Sequence, residues 1–248
     1  MAHSLRRLVA LSPLLFIAFT LGCSNTPGDP FEKINRPFYN FNEALDRHAV
    51  KPAANFYEKI IPLGIRTGLG NGFSNLGYLN VIINDYLQGK WQQGLSDTGR
   101  MAVNSTVGIA GFFDVATGWG MPIHENRLGT TLGKWGVPPG PYLVIPVLGP
   151  STVRDAPGFY MASITNPVYW IRPGWEYTVP LSIFYTLDAR TRLDFLVRFR
   201  NEQALDPYVF TRDAYLQYTN TQIRGPATKP SEDFYNEDLD DTTKPTGK

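Results

Sequence analysis

The chain has 248 residues, of which 43% are hydrophobic and 13% aromatic, and it carries a formal net charge of +1 at pH 7. A balance this close to neutral lacks the basic field that nucleic-acid binding requires, so no nucleic acid is expected as a partner. The roughly 225 residues that would remain after removal of an N-terminal signal are enough to bury the core of one large domain or two small ones.

An apolar segment near the N-terminus ends at the only cysteine. Two arginines precede the apolar run over 8–21, which has the length of a signal-peptide core and falls short of the ~20 residues of a membrane-spanning helix. Cys23 follows this run and has no internal disulfide partner. The pattern resembles a bacterial lipoprotein signal over 1–22, in which the cysteine is diacylated and becomes the new N-terminus. An ordinary secretory signal followed by a free thiol is the alternative.

Acylation of Cys23 would tether the mature protein to a bilayer, because two or three acyl chains hold stably where one binds reversibly. Ser24 follows the cysteine, at a position where aspartate marks retention in the inner membrane. By this resemblance we expect sorting to the outer membrane.

Two helices are predicted after the signal. Apolar side chains recur every third or fourth residue over 29–50, which is helical spacing with an aromatic-rich face. Asp29 can cap this helix, and Pro37 should bend or restart it. A second helix is expected from about Pro52 until Pro62 interrupts it.

Glycines dominate the next segment. Gly64, Gly68 and Gly72 are four residues apart and would form a smooth strip along one side of a helix. Because each interior glycine costs a helix ~1 kcal/mol relative to alanine, such a helix needs close packing, and a flexible loop is the alternative. The pattern over 76–87 is a clearer helix that ends near Gly89.

The helical pattern over 76–87 and the segment over 95–115 have apolar surfaces wider than a stripe, yet neither reaches ~20 uncharged apolar residues. We expect such helices to lie in one leaflet or to surround a polar path, since polar groups in a bilayer must face protein or water. A soluble core is the competing interpretation.

Proline sets the structure of the segment over 135–150. These prolines remove hydrogen-bond donors and fix backbone angles, so extended chain and turns are expected to line or plug a cavity. They are Pro138, Pro139, Pro141, Pro146 and Pro150.

Helical patterns return in the C-terminal third, first around 159–170. The segment 188–205 alternates arginine with apolar residues and resembles a basic interfacial helix that anionic headgroups attract, although arginines on a solvated face explain the pattern equally. Asp206 is expected to cap one more helix that runs through Tyr218. The acidic tail over 226–248 has few apolar residues and is predicted to be disordered in isolation.

No catalytic or metal-binding constellation is recognisable. His124 and Glu125 begin like a zinc-protease motif, but Leu128 stands where its second histidine belongs. The chain has neither a Gly-x-Ser-x-Gly elbow nor a phosphate-binding glycine loop with Lys-Ser/Thr. We therefore expect no enzyme, no metal and no cofactor.

Three long blocks resemble the MlaA (VacJ) family of outer-membrane lipoproteins. They read DPFEKINRPFYNFN over 29–42, NSTVGIAGFFDVA over 104–116 and LGTTLGKWGVPPGPYLVIPVLGPSTVRD over 128–155. The resemblance implies a mainly α, ring-shaped bundle of amphipathic helices lying in one membrane leaflet, with a polar channel and a proline/glycine-rich irregular segment. It also implies a signal over 1–22, a helical lipid-channel domain over 23–225 and a separate tail over 226–248.

The family resemblance implies a function in lipid transport. Members remove mislocalised phospholipids from the outer leaflet of the outer membrane, work with a trimeric outer-membrane porin, and pass the lipid to a soluble periplasmic carrier of the Mla type. No reaction is catalysed. A lipoprotein that only scaffolds or tethers envelope components is the opposing hypothesis, and a lipid-modifying enzyme is the third.

The resemblance also suggests site residues. Asn40 and Phe41 are candidates for lipid gating; the alternative is that Asn40 is only a capping residue and Phe41 only a packing residue. Arg154 and Asp155 either pair near the channel or close a turn. We expect the loop over 117–126 to act as a gate or hinge, and the tail to dock the carrier. The hinge candidates are Thr117, Trp119, Met121 and His124, and the docking candidates are Phe234 and Tyr235.

Overall fold

The structure is a computed structural model that describes residues 29–171 and 174–225. The predicted signal, the predicted acylation site Cys23, the acidic tail and the docking candidates Phe234 and Tyr235 lie outside these ranges.

The first helical unit is continuous. Helix α1 spans Glu32–Leu45, a π-helical turn follows at Asp46–Val50, and helix α2 spans Lys51–Ile60. Pro37 lies inside α1 without ending it, so the helix does not restart at this residue, and the expected bend stays a prediction. Side-chain hydrogen bonds hold α1 in place on both sides of the proline, because Asn35 and Asn42 each bond to the backbone of a distant segment.

The glycine-rich segment is helical. Helix α3 spans Leu63–Leu87 and includes the whole glycine strip, so the helical alternative is confirmed and the loop alternative is wrong. The close packing that such a helix needs is present, since a Cβ atom at Gly68 would meet the ring of Phe112. Tertiary contacts therefore offset the low helix propensity of glycine.

Three helices connect α3 to the proline-rich segment. Helix α4 spans Trp91–Thr106, a short α5 spans Val115–Gly118, and α6 spans Leu128–Lys134. Between α4 and α5 the backbone turns through Ile109 and Ala110, whose φ angles of 52° and 55° are both left-handed. This conformation is unfavourable for a β-branched residue, so the surrounding contacts must impose it.

The proline-rich segment is extended, as its composition predicts, and part of it is paired. Strands β1, Tyr142–Ile145, and β2, Gly149–Thr152, form an antiparallel hairpin in which Tyr142 is opposite Thr152. Asn42 of α1 holds the tip, because its amide donates to the Ile145 carbonyl at 3.1 Å and its carbonyl accepts the Val147 N–H at 2.7 Å.

Four helices complete the described chain. They are α7, Pro157–Thr165; α8, Pro167–Ile171; α9, Trp175–Gln203; and α10, Pro207–Arg224. Asp206 caps α10 as predicted, since its Oδ1 accepts two backbone N–H groups of the next turn at 2.9 and 3.3 Å. The helix continues six residues beyond the predicted Tyr218.

The arginines of α9 are engaged within the protein. Arg190 bonds to Asp46 at 2.7 Å and to Asp194 at 3.0 Å, and Arg200 bonds to Glu43 at 2.7 Å. The other two pairs are Arg192 with Asp188 and Arg198 with Asp194. The interpretation of α9 as a helix whose arginines await anionic headgroups is thus weakened, because each arginine already has a carboxylate partner.

The helices form a closed circuit. Helix α3 contacts α9, α9 contacts α10, α10 contacts α6, and α6 contacts α3. This arrangement agrees with the mainly helical, ring-like bundle that the resemblance implies. Within the described ranges, no helix combines the length and apolarity needed to cross a membrane.

Candidate functional site

The interior of the bundle is polar while much of its surface is apolar. Asp29, Asn84, Asp85 and Asp97 have no solvent exposure, whereas Phe195 of α9 is 75% exposed. Further exposed apolar side chains are Phe56, Leu63, Ile109, Trp170, Trp175, Ile183, Phe184 and Leu196. Fully buried carboxylates and large contiguous apolar surfaces are both uncommon in soluble proteins, and exposed apolar surface of this extent marks contact with membrane or protein.

A buried arginine anchors the predicted hinge loop. Arg100 of α4 donates to the Met121 carbonyl at 2.7 Å, to the Thr117 hydroxyl at 2.9 Å and to the Asp114 carboxylate at 2.6 Å. Two of the hinge candidates are therefore tied to α4, while Trp119 between them is exposed. The hinge role of this loop stays a prediction, and any opening must break the Arg100 bonds.

The far end of the same loop is bound to a buried acid, Asp97. The His124 ring nitrogen Nδ1 lies 2.9 Å from Oδ1 of Asp97, and the Tyr78 hydroxyl donates to that oxygen at 2.9 Å. The His124 backbone N–H in turn donates to the Tyr78 hydroxyl at 3.2 Å. Helices α3 and α4 thus contribute one residue each to the binding of His124.

The environment of Asp85 disfavours its ionised form. Burial, followed by the neighbouring Asp97 carboxylate, raises the pKa of Asp85 from 3.8 to about 6. Gln93 donates to its Oδ1 at 2.7 Å and Asn126 donates to the same oxygen, but Oδ2 has no hydrogen-bond partner. The fold therefore favours the protonated form of Asp85.

Replacing Asp85 with asparagine should stabilise the protein at neutral pH. Because the folded state disfavours the ionised carboxyl, folding loses stability as pH rises from about 4 to 6, and the loss is complete above 6. The variant removes this penalty, so its free energy of unfolding at pH 8 should exceed the wild-type value by up to about 3 kcal/mol. Denaturant unfolding in detergent at pH 4 and pH 8 checks this.

The stabilising effect of Asp85→Asn should disappear near pH 4, where the wild-type carboxyl is already protonated. Asp213→Asn serves as the control, because its carboxylate is half exposed and lies beside Arg212. Equal stabilities of Asp85→Asn and wild type at pH 8 would contradict the assignment.

An open cavity lies beside these acids. Its volume is about 650 Å³. Lys90, Gln93, His124, Asn126 and Tyr218 line it together with Ile123, Glu125 and Gln222. Polar groups from the α3–α4 turn, α4, α10 and the loop before α6 therefore converge on one space. Within the described residues, no group of three or more His, Cys, Asp and Glu side chains could hold a metal ion.

Arg154 and Asp155 form a buried ion pair. Arg154 Nε lies 2.8 Å from Oδ1 of Asp155, and the Tyr215 hydroxyl of α10 donates to the other carboxylate oxygen at 2.8 Å. Burial raises the pKa of Tyr215 to about 12, so this hydroxyl remains a donor at neutral pH. The pair joins the end of the hairpin to α10; its role in a lipid path stays a prediction.

Asn40 and Phe41 lie on the exposed side of α1. The opposite side carries the buried Asn35 and Tyr39. The two gating candidates thus face outward, whereas Arg154 and Asp155 are buried after β2. The gating role of Asn40 and Phe41 stays a prediction.

Sequence reasoning missed Asp85, Asp97 and Arg100 as interior residues. The available signal was their position on α3 and α4, whose surfaces are otherwise broadly apolar. A charged residue on such a helix faces the bundle interior when the outside is hydrocarbon.

Comparison with known proteins gives concordant matches. The family model described as MlaA lipoprotein matches residues 27–222. Proteins named "Intermembrane phospholipid transport system lipoprotein MlaA" from Shigella flexneri and from Escherichia coli (strain K12) are each 34% identical over 91% of this chain and 92% of their own length. The Haemophilus influenzae protein of the same name is 29% identical over 86% of this chain and 89% of its own length.

A solved structure from work on the "structural basis for maintenance of bacterial outer membrane lipid asymmetry" is also similar. It superimposes with a TM-score of 0.66 at 28% identity, and the match covers 79% of this chain and 99% of that chain. Together with the sequence matches over most of the chain, this similarity shows that the chain belongs to the MlaA lipoprotein family.

Proposed function

We propose that this protein is the outer-membrane lipoprotein of a phospholipid transport system. It removes mislocalised phospholipids from the outer leaflet of the outer membrane and passes them to a soluble periplasmic carrier, which maintains lipid asymmetry. The observation that carries this proposal is the polar interior enclosed by an apolar surface. The names of the relatives support it.

The inverted polarity suits lipid passage for a physical reason. A phospholipid headgroup crosses hydrocarbon only at a large free-energy cost, because its charges lose their hydration. A polar cavity beside exposed apolar side chains offers the headgroup and the acyl tails compatible surroundings at the same time. The chain needs to catalyse no reaction for this task.

We further propose that the bundle lies in the periplasmic leaflet, anchored by acylated Cys23, and works with a trimeric porin. Tryptophans and other large apolar groups on the surface favour the interfacial region of a bilayer. Mass spectrometry of the mature N-terminus tests the acylation, because an unmodified Cys23 thiol would exclude it. The tail residues Phe234 and Tyr235 are proposed to dock the carrier, and carrier binding by a chain truncated after Gly225 tests that role.

The experiment that tests the function is a reconstituted transfer. Protein and porin are placed in vesicles that contain a labelled phospholipid, and transfer of label to the purified periplasmic carrier is measured. A transporter gives transfer that depends on the protein, with lipid of unchanged mass. A scaffold gives stable porin binding without transfer, and a lipid-modifying enzyme gives lipid of altered mass.

Deletion of Asn40 and Phe41 should alter lipid transfer strongly. Removing two residues from a helix rotates everything after them by about 200°, so Asn42 would leave the hairpin tip that it holds at Ile145 and Val147. We expect transfer to change several-fold in the vesicle assay, together with the level of outer-leaflet phospholipid in cells.

The double substitution Asn40→Ala/Phe41→Ala is the matched control, because it removes both side chains and keeps the helical register. If the deletion acts through the hairpin, the control transfers lipid as the wild type does. An unchanged lipid level after the deletion would end the gating assignment.

A further inference from the structure

Lys90 lines the polar cavity, and Lys134 belongs to the helix end that packs beside the turn carrying Lys90. Lys90 lies in the turn between α3 and α4, and Lys134 is the last residue of α6. Two hydrogen bonds hold these helix ends together: Trp135 Nε1 donates to the Leu87 carbonyl at 3.1 Å, and Gln88 Nε2 donates to a threonine hydroxyl of α6 at 2.9 Å. The fold therefore brings together the two segments that carry the lysines.

The proximity of the two ammonium groups is electrostatically unfavourable. Desolvation and the neighbouring Lys90 lower the pKa of Lys134 to about 8. Among the described residues, every ion pair involves an arginine or His124, and neither lysine has a carboxylate within ion-pairing distance. Asp85 attracts both lysines from beyond ion-pairing distance. An anion between the two lysines would remove the repulsion.

The cavity offers further donors next to Lys90. Gln93 and Asn126 each have a second amide N–H besides the one that donates to Asp85, and Gln222 carries a further amide. The one carboxylate among the lining residues, Glu125, accepts a hydrogen bond from the Tyr218 hydroxyl. A volume of about 650 Å³ accommodates a small polar group such as a lipid headgroup, whose tails would extend outside.

We propose that Lys90 and Lys134 bind the phosphate of a lipid headgroup at the Lys90 side of this cavity, where Lys90 belongs to the lining and Lys134 lies next to it, outside the lining. The proposal rests on the proposed function and assigns the headgroup position within it. Lysine suits this task because it binds phosphate as a compact charge. Two lysines would also bind inorganic phosphate, so the test must distinguish free phosphate from the phosphate of a lipid headgroup.

The test titrates the full-length protein in detergent, with its lysines labelled at the ε-carbon for NMR. The probes are a short-chain phosphatidylglycerol, inorganic phosphate, and a diacylglycerol with the same acyl chains and no phosphate. We expect only the phosphatidylglycerol to bind tightly and to move the pKa of Lys134 back toward its ordinary value. The variant K90Q/K134Q should bind it at least about tenfold more weakly.

Two controls keep the outcome interpretable. K33Q/K59Q removes two exposed lysines of α1 and α2 and should leave the affinity unchanged. K90R/K134R keeps both charges and should restore most of the binding, which a merely misfolded variant would not do. Equal binding by K90Q/K134Q and the wild type overturns the proposal. Equal binding of inorganic phosphate and the lipid, or of the diacylglycerol and the lipid, overturns the assignment to a lipid phosphate.

Failure of this proposal is distinguishable from failure of the proposed function. Absence of wild-type transfer in the vesicle assay would refute lipid transport, whatever the lysines bind. Normal wild-type transfer, combined with phosphatidylglycerol binding that does not depend on Lys90 and Lys134, would refute only the phosphate site.

Discussion

Replacing Arg100 with alanine should lower the free energy of unfolding by about 3–5 kcal/mol, because it leaves the carboxylate of Asp114 without its buried partner. Arg100 is only 5% exposed and also binds the Thr117 hydroxyl and the Met121 carbonyl. The loss of these bonds should release the loop over 117–126 from α4. Denaturant unfolding in detergent measures the stability, and amide hydrogen exchange measures the release of the loop.

Arg198→Ala provides the matched control for Arg100. Arg198 also pairs with an aspartate, Asp194, but its side chain is 69% exposed. Such pairs contribute little, so the control should change the stability by less than about 1 kcal/mol. If the two variants were equally stable, or if exchange in the loop over 117–126 were unchanged in Arg100→Ala, the anchoring role would be wrong.

Replacing Gly108 with alanine should lower the free energy of unfolding to a similar extent. Gly108 lies in the tight turn after α4, where a Cβ atom would come closer to the backbone of Asn104 and Phe113 than non-bonded atoms approach. The Gly108 carbonyl accepts the Phe113 N–H at 2.9 Å, and Gly111 N–H donates to the Asn104 carbonyl at 2.7 Å. Because the backbone must move to make room for the methyl group, Gly108→Ala should lower the free energy of unfolding by about 3 kcal/mol or more.

The control for Gly108 lies in the preceding helix, α4. No atom of another group lies within 4 Å of a Cβ built at Gly99, inside α4. Gly99→Ala should therefore stabilise the helix by up to about 1 kcal/mol. Thermal unfolding of both variants in one detergent gives the comparison. A Gly108→Ala protein as stable as Gly99→Ala would show that the turn can relax without cost.

Local sequence patterns predicted most helices because their causes are local. The spacing of apolar residues after Asp29 predicted α1, and Asp206 predicted the start of α10, since a cap bonds to backbone groups two and three residues away. The restart, one of the two outcomes expected at Pro37, does not occur, for the opposite reason. The bonds from Asn35 and Asn42 to the hairpin span more than 100 residues and hold α1 together across the proline.

The sequence indicated that the interior is polar, but it did not indicate which side chains pair there. Broadly apolar helices too short to span a membrane indicated that their few charged residues face inward. No pattern indicated that Arg100 would bind Asp114, Thr117 and Met121, or that Lys90 and Lys134 would meet. Such pairings depend on how helices distant in sequence are packed.

By itself, the sequence determined the family, the mainly helical class and most helix positions, because long ordered blocks and residue spacing are properties of the chain. Only the tertiary structure decided that the glycine strip of α3 is helical, that the arginines of α9 are paired, and that polar groups from α4, α10 and the intervening loops converge on one cavity. The physical reason is that packing and electrostatic partners act between side chains far apart in sequence. Their free energies outweigh local propensity wherever the two disagree.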